Sequence, residues 1–326
     1  MTPDPGAPET GARLAARLRD GDLGAAPAVL NLVESRSPAD REQTAELLRS
    51  LSPAALGGEA PGHVVGVTGP PGAGKSMLLS ALVAAWRERQ RTVAVLAVDP
   101  TSRRSGGALL GDRARIAHDA NDPGVFIRST AAGERLGGLA PATRAAAQAL
   151  SVAFEVVVIE TVGVGQSETE VAEVADTVLV VVQPGAGDVL QFLKAGIMEV
   201  PDVLVVTKAD LGEPAARTVR DLRVALGAIG SGDTPVVAVA SIPPVRGVDE
   251  LVSATDAHRA NLDLSARRLA ARRANALADF MAEHGDRAVR ALGGRRSAQR
   301  WLAEQDPTLD VPALTARLET RALEEA

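Results

Sequence analysis

Between His63 and about Asn261 the apolar positions gather into seven short, mostly β-branched runs. They are VVGVTG at 64–69, TVAVLAVDP at 92–100, VFIRST at 125–130, FEVVVIET at 154–161, DTVLVVVQP at 176–184, DVLVVTKAD at 202–210 and PVVAVAS at 235–241. Most are hydrophobic on both faces rather than alternating, which predicts strands of a parallel sheet covered on both sides. Helical patterns lie between most of them, as at 76–91 and 141–152. Regular alternation of strand and helix predicts an α/β fold, a doubly wound, mostly parallel sheet, here over 59–262. Ligands of such sheets lie beyond the carboxyl ends of the strands, so residues at strand ends carry the chemistry.

On either side of this domain the period is helical. Leu14, Leu18 and Leu23 form one stripe, Val29, Leu30 and Val33 a second, and Leu47, Leu48 and Leu51 a third. The GGEAPG stretch at 57–62 ends the pattern, giving an N-terminal helical extension over 1–58 whose Pro-rich first nine residues read as disordered. A C-terminal helical arm follows over 263–326, with Leu269, Leu277, Phe280 and Met281 as its buried candidates. By sequence these last helices carry too few apolar positions for much of a core of their own. They are expected to dock on the α/β domain or on a second subunit.

Composition narrows the chemistry. Aromatic residues are only 2% of the chain, which excludes a binder built on base-stacking platforms. The 41 acidic residues outnumber the 35 basic ones, which argues against a nucleic-acid partner. There is no cysteine, so disulfides, iron–sulfur clusters and thiolate zinc sites are excluded. The four histidines (His63, His118, His258 and His284) lack the helical spacing of a zinc site. The first residues show no signal-peptide pattern, and no apolar run approaches the ~20 residues of a membrane span. The expectation is a cytoplasmic protein without a membrane partner.

The most specific motif is GPPGAGKS, Gly69 to Ser76, between a strand and a helix. It matches G-x-x-x-x-G-K-[ST], the phosphate-binding loop, in the context the motif requires. The glycines let backbone N–H groups point inward, and the helix that follows adds its positive end. Gly69, Pro70, Pro71, Gly72, Ala73, Gly74, Lys75, Ser76 and Met77 are therefore expected around a nucleotide's phosphates. Lys75 would bridge the β- and γ-phosphates and the Ser76 hydroxyl would ligate Mg²⁺.

Three carboxylates follow at strand ends or in glycine-rich loops: Asp99 after VAVLAV, Asp112 in SGGALLGDRAR and Glu160 at the end of VVVIE. Mg²⁺ takes one or two carboxylates together with phosphate oxygens and waters, so Asp99, Asp112 and Glu160 are its candidate partners. Taken singly, Asp99 and Asp112 also suit a helix cap or a turn. Glu160 is stronger, because Gly163 follows at the spacing of the D-x-x-G switch of GTPases, with Glu in place of Asp. The Gly163 amide would then bond the γ-phosphate and release it on hydrolysis.

The base is read from TKAD, Thr207 to Asp210, which resembles the N-K-x-D motif. A carboxylate there accepts from N1–H and the N2 amino group of guanine, a donor pair that adenine lacks, so Asp210 selects GTP and GDP. Lys208 would pack along the base, and Thr207 replaces the usual Asn. Ser241, Ile242 and Pro243 end the next strand, where GTPases place a backbone amide near the guanine O6.

Together, GPPGAGKS, VDPTSRRSGGALLGDRARI, FIRSTAAGERLGGLA, VIETVGVGQSE, QPGAGDVLQFLKAGIMEV and TKAD resemble the methylmalonyl-CoA mutase-associated GTPases (MeaB, also called ArgK). The resemblance spans roughly Gly11 to Ala326. It implies a P-loop GTPase with a C-terminal arm used for homodimerisation. It also implies a chaperone for an adenosylcobalamin-dependent acyl-CoA mutase, loaded by a cobalamin adenosyltransferase. By the same resemblance Asp99, Asp112 and Glu160 match the family's Mg²⁺-proximal carboxylates, and Lys194 falls at a position that couples to the mutase. Lysine 75, Glu160 and Asp112 are its expected catalytic residues. Gly163 is followed by Val164 rather than a water-orienting glutamine, and Gln166 lies two residues further on, so slow intrinsic turnover is expected. Alternatives are a nickel- or other metal-insertion GTPase, a signal-recognition-type targeting GTPase, a kinase-like transport ATPase, or a nucleotide-switched scaffold without relevant turnover. The missing Cys and His cluster, the four Met residues and Asp210 weigh against the first three in turn.

Overall fold

The computed structural model describes residues 9–99, 116–131, 139–161, 171–185 and 201–325, with the side chains of Asp99 and Ala131 outside that description. The described chain divides into two compact units. One comprises His63–Thr143 and Phe154–Leu262; the other comprises Met1–Gly62, Arg144–Ala153 and Asp263–Ala326. Among the described residues no helix is long and apolar enough to cross a membrane.

All seven apolar runs form strands of one sheet in the first unit: β1 (His63–Thr68), β2 (Val93–Asp99), β3 (Val125–Ala131), β4 (Val156–Glu160), β5 (Thr177–Val182), β6 (Val203–Val206) and β7 (Val236–Ala238). Their order is β3-β2-β4-β1-β5-β6-β7, and every neighbouring pair is parallel. The chain leaves β1 for β2 and β3, returns through β4, and continues on the other side of β1. Connections diverge beside β1, so its carboxyl end opens the kind of crevice where α/β sheets bind ligands. The central strands β1, β4 and β5 are buried along their whole length, which explains their lack of alternation.

The helix after β1, counted fifth in the chain after α1 (Gly11–Arg19), α2 (Ala26–Glu34), α3 (Pro38–Ser50) and α4 (Pro53–Leu56), is α5 (Lys75–Glu88). Its stripe of Leu78, Leu79, Leu82, Val83 and Trp86 packs in one core with Val65, Val67, Val95 and Val158 from the sheet. Burying each such leucine stabilises by about 1.5–3 kcal/mol. This core anchors the start of α5, and with it the phosphate-loop motif, at the end of β1.

The second unit holds α1 to α4, most of α6 (Pro141–Leu150) and the last three helices. The sheet unit supplies the two between, α7 (Glu213–Ala228) and α8 (Val248–Asn261), and the last three are α9 (Leu264–Ala291), α10 (Arg295–Ala303) and α11 (Val311–Glu324). Side chains cap α1, α3, α9 and α11: Thr10, Ser37, Asp263 and Asp310 each accept from an amide in the first turn. The C-terminal helices differ from the sequence expectation by carrying a core of their own. Leu277, Phe280, Leu292, Leu302, Leu314 and Leu318 are all buried together in it. Spacings of three and four residues put them on facing stripes, and Trp301 adds area by packing under Arg321, 5.2 Å from the ring centroid. Arg272 joins this region to the N-terminal segment through an ion pair with Glu59 at 2.9 Å, while Arg268 donates to the carbonyls of Ala60 and Gly62.

At the amino ends of the strands, away from the phosphate loop, four side chains form a chain of hydrogen bonds. Asp202 Oδ1 lies 3.2 Å from His258 Nε2, His258 Nδ1 lies 2.8 Å from Thr177 Oγ1, and Thr177 Oγ1 lies 2.8 Å from His63 Nε2. The Thr177 hydroxyl can donate to one imidazole and accept from the other, so it links the two rings. Burial pushes the His63 imidazole down to about 4, against the opposing pull of Asp176. A histidine depressed in the folded state takes its proton first in the unfolded chain. Stability is therefore complete above the ordinary value near 6.5 and falls as the pH drops towards 4. Unfolding free energies from denaturant titrations at pH 7 to pH 4 are expected to fall less in His63→Gln than in the wild type, by on the order of 3 kcal/mol over that window. Parallel curves would show that His63 does not titrate as its surroundings require.

Candidate functional site

The phosphate loop leaves β1 through Gly69, whose φ of 145° only glycine adopts readily. A side chain there would also collide with β5, since a Cβ would lie 2.3 Å from the Val181 carbonyl oxygen. The loop ends at Gly74, which starts α5 in the left-handed conformation, and no side chain caps the helix. The first amides of a helix lack intrahelical partners, so this end is built to hold an anion. Lys75 is buried, and its ammonium donates to the carbonyls of Gly69 (2.8 Å) and Pro70 (3.3 Å). The positive charge therefore sits at the mouth of the loop rather than out in solvent. Met77, one turn on, is 50% exposed and makes no part of this core.

Ser76 and Glu160 meet, as their placement at the starts and ends of elements requires. Ser76 Oγ donates to Glu160 Oε1 over 3.1 Å, and Glu160 is buried at the end of β4. A hydroxyl and a carboxylate at that distance are a hard oxygen pair, two donors where Mg²⁺ takes few from protein and the rest from phosphate and water. The donor set fits that ion. Just beyond, Thr161 Oγ1 donates to Thr68 Oγ1 over 2.9 Å and ties the ends of β4 and β1 together.

The TKAD segment is fastened to the underside of the phosphate loop. Thr207 is buried, and its hydroxyl donates to the Ala73 carbonyl over 2.6 Å. Lys208 adopts a left-handed φ of 54° and its ammonium donates to the Gly72 carbonyl over 3.1 Å and to Gln183 Oε1. Holding these two carbonyls from outside turns the loop amides inward. The hydroxyl of Thr207 thus supplies a contact to the loop although no carboxamide is present. Asp210 lies in a 3-10 turn, Ala209–Leu211, and is exposed to solvent. The Ala209 amide donates to the Val239 carbonyl over 3.1 Å, which brings the segment after β7 alongside. There Ser241 follows, with Ile242 and Pro243 exposed.

The structure therefore brings Gly69, Pro70, Pro71, Gly72, Ala73, Gly74, Lys75, Ser76, Glu160, Thr207 and Lys208 into one connected cluster at the carboxyl ends of β1, β4 and β6. Asp112, Gly163, Gln166 and Lys194 lie outside the described residues, as does the side chain of Asp99. Gln183 opens the segment 183–194, which by the family resemblance matches an extra switch, and its side chain accepts from the Lys208 ammonium. Its position directly after β5, at the same sheet end as Lys208, is the signal that marks it.

Residues 26–292 match the family model of the methylmalonyl Co-A mutase-associated GTPase MeaB. The chain belongs to this family. Relatives include a protein named as a GTPase in Pyrococcus abyssi, 43% identical over 257 residues that cover 77% of this chain and 76% of the relative. Another, named as a GTPase in Mycobacterium tuberculosis, is 43% identical over 253 residues, 76% of this chain and 74% of the relative. A mitochondrial methylmalonic aciduria type A homolog of Caenorhabditis elegans is 40% identical over 204 residues, 59% of this chain and half of that protein. Among solved structures, one described as an LAO/AO transport system kinase superposes with a TM-score of 0.64 at 28% identity, covering 93% of this chain and 99% of that one. Fold and family agree: this MeaB-family chain is a P-loop GTPase.

Proposed function

We propose that this GTPase is a chaperone that gates the loading of adenosylcobalamin onto an acyl-CoA mutase, most directly methylmalonyl-CoA mutase, and protects that mutase. The observation that carries the reading is the fastening of the base-reading segment to the phosphate loop through Thr207–Ala73 and Lys208–Gly72. A site wired in this way reports which nucleotide is bound to everything attached to the loop. The family's association with methylmalonyl-CoA mutase supplies the partner.

In this reading the loop amides and Lys75 hold the β- and γ-phosphates of GTP. Ser76 and Glu160 would hold Mg²⁺, Asp99 and Asp112 are its further candidate partners by sequence, and the ion would supply charge neutralisation at the phosphates. Lys75 stabilises charge that grows on the transferring phosphoryl group. Asp210 accepts from the guanine edge, Lys208 lies along the base, and the segment Ser241, Ile242, Pro243 closes over it. Gly163 would sense the γ-phosphate. Since Val164 rather than a water-orienting glutamine follows Gly163 in the sequence, the chain turns over slowly alone and a partner that orders the site accelerates it. The arm formed by the C-terminal helices serves a homodimer, and a cobalamin adenosyltransferase is the source of the cofactor.

Turnover of GTP measured with and without an adenosylcobalamin-dependent mutase tests this directly. A rise on adding the mutase, together with retention of the mutase on the chain held with a non-hydrolysable GTP analogue, is the expected result. Identical turnover and no retention would remove the mutase from the account while leaving the GTPase in place.

A further inference from the structure

We propose that Ser129, on β3, is a positioning residue for the water shell of the nucleotide's magnesium ion. This rests on the nucleotide reading above and adds a residue to it. Four residues lie in register across adjacent strands: Val67 on β1 pairs with Glu160 on β4, Glu160 with Ala97 on β2, and Ala97 with Ser129 on β3. Register partners in a parallel ladder project to one face, because side chains alternate with a period of two. That face is the α5 face, for Val95, Ile127 and Val158, each two residues earlier on its strand, all pack in the core that includes Leu78 and Leu82.

The row marks the level at which the apolar core gives way to the site. Its polar members are Glu160 and Ser129, separated by a single residue reduced to alanine. Strands lie about 4.8 Å apart, so the two backbones are about 10 Å from each other. Glu160 reaches up to Ser76. Ser129 Oγ is buried and has no hydrogen-bond partner among the described residues. Two neighbouring hydroxyls are paired, Thr130 with Thr143 at 3.3 Å and Thr161 with Thr68 at 2.9 Å, whereas the Ser241 hydroxyl after β7 shares the condition of Ser129.

A buried hydroxyl without a partner is costly, and its place in the same row as Glu160 calls for a ligand atom. Magnesium bound to a nucleotide keeps several waters, and each has protons to donate. A magnesium-bound water held over this row would supply the donor that Ser129 Oγ accepts. Ser129 thus acts on the ion through water, and the small side chain of Ala97 keeps the path open.

The test is calorimetric titration of the full chain with GDP, once in EDTA and once in Mg²⁺, for wild type, Ser129→Ala and Ser129→Thr. Equal GDP affinity in EDTA is expected for all three. In Mg²⁺ the wild type and Ser129→Thr should gain affinity, and Ser129→Ala should fall short of that gain by about 3- to 10-fold, the worth of one hydrogen bond. A Ser129→Ala protein with the full Mg²⁺ gain, or one that loses affinity equally in EDTA, overturns the proposal and leaves the nucleotide site standing. A wild type that binds GDP in neither condition overturns both.

Discussion

Replacing Lys75 by alanine is expected to lower GTP turnover at saturating nucleotide by about 10²- to 10³-fold, the effect of removing one preorganised charge from a transition state. The ammonium is buried at the loop mouth and held by the Gly69 and Pro70 carbonyls at 2.8 and 3.3 Å. From there it has only to exchange carbonyls for phosphate oxygens. Single-turnover phosphate release measures the step, and circular dichroism checks that the sheet is intact. Unchanged turnover in a folded Lys75→Ala protein would contradict the assignment of this loop.

Removing the Asp210 carboxylate should have the other large effect, on choice of base rather than on rate. Two hydrogen bonds from guanine to a charged acceptor are at stake. Because Asp210 is exposed, the lower end of the range applies, and Asp210→Ala is expected to weaken GDP by about 10²-fold with no loss of ADP binding. Asp210→Asn carries a sharper expectation. Its carboxamide offers a donor where the carboxylate offered an acceptor, which suits the carbonyl that xanthine carries in place of the guanine amino group. Xanthosine diphosphate should then bind Asp210→Asn more tightly than GDP does, and a protein that keeps its preference for GDP would show that the base is read elsewhere.

The seven strands were legible because a parallel sheet buries both faces, so each run, from VVGVT in β1 to VVA in β7, carries an undiluted apolar signal. The phosphate loop was legible for a related reason: Gly69 and Gly74 occupy backbone conformations other residues resist, so the sequence must spell them out. What joins these parts was not legible. The bonds from Thr207 to Ala73 and from Ser76 to Glu160 span 134 and 84 residues, and they exist only because the parallel strands β1, β4 and β6 all end on the same side of the sheet. Register between strands is fixed by packing over the whole sheet, and no local pattern records it. The row through Glu160, Ala97 and Ser129 is hidden for the same cause. The C-terminal core escaped notice because its apolar residues are spread thinly over three helices, and only their pairing shows that Phe280, Leu302 and Leu314 meet.

The central claim is that one connected cluster binds phosphate at one end and reads guanine at the other. Calorimetric titration of the wild-type chain with GDP and with ADP in Mg²⁺ tests it most directly. Tight, saturable binding of GDP at one site per chain, with ADP weaker by at least about 10²-fold, is the predicted result. Equal binding of the two nucleotides, or binding of ADP alone, would contradict it.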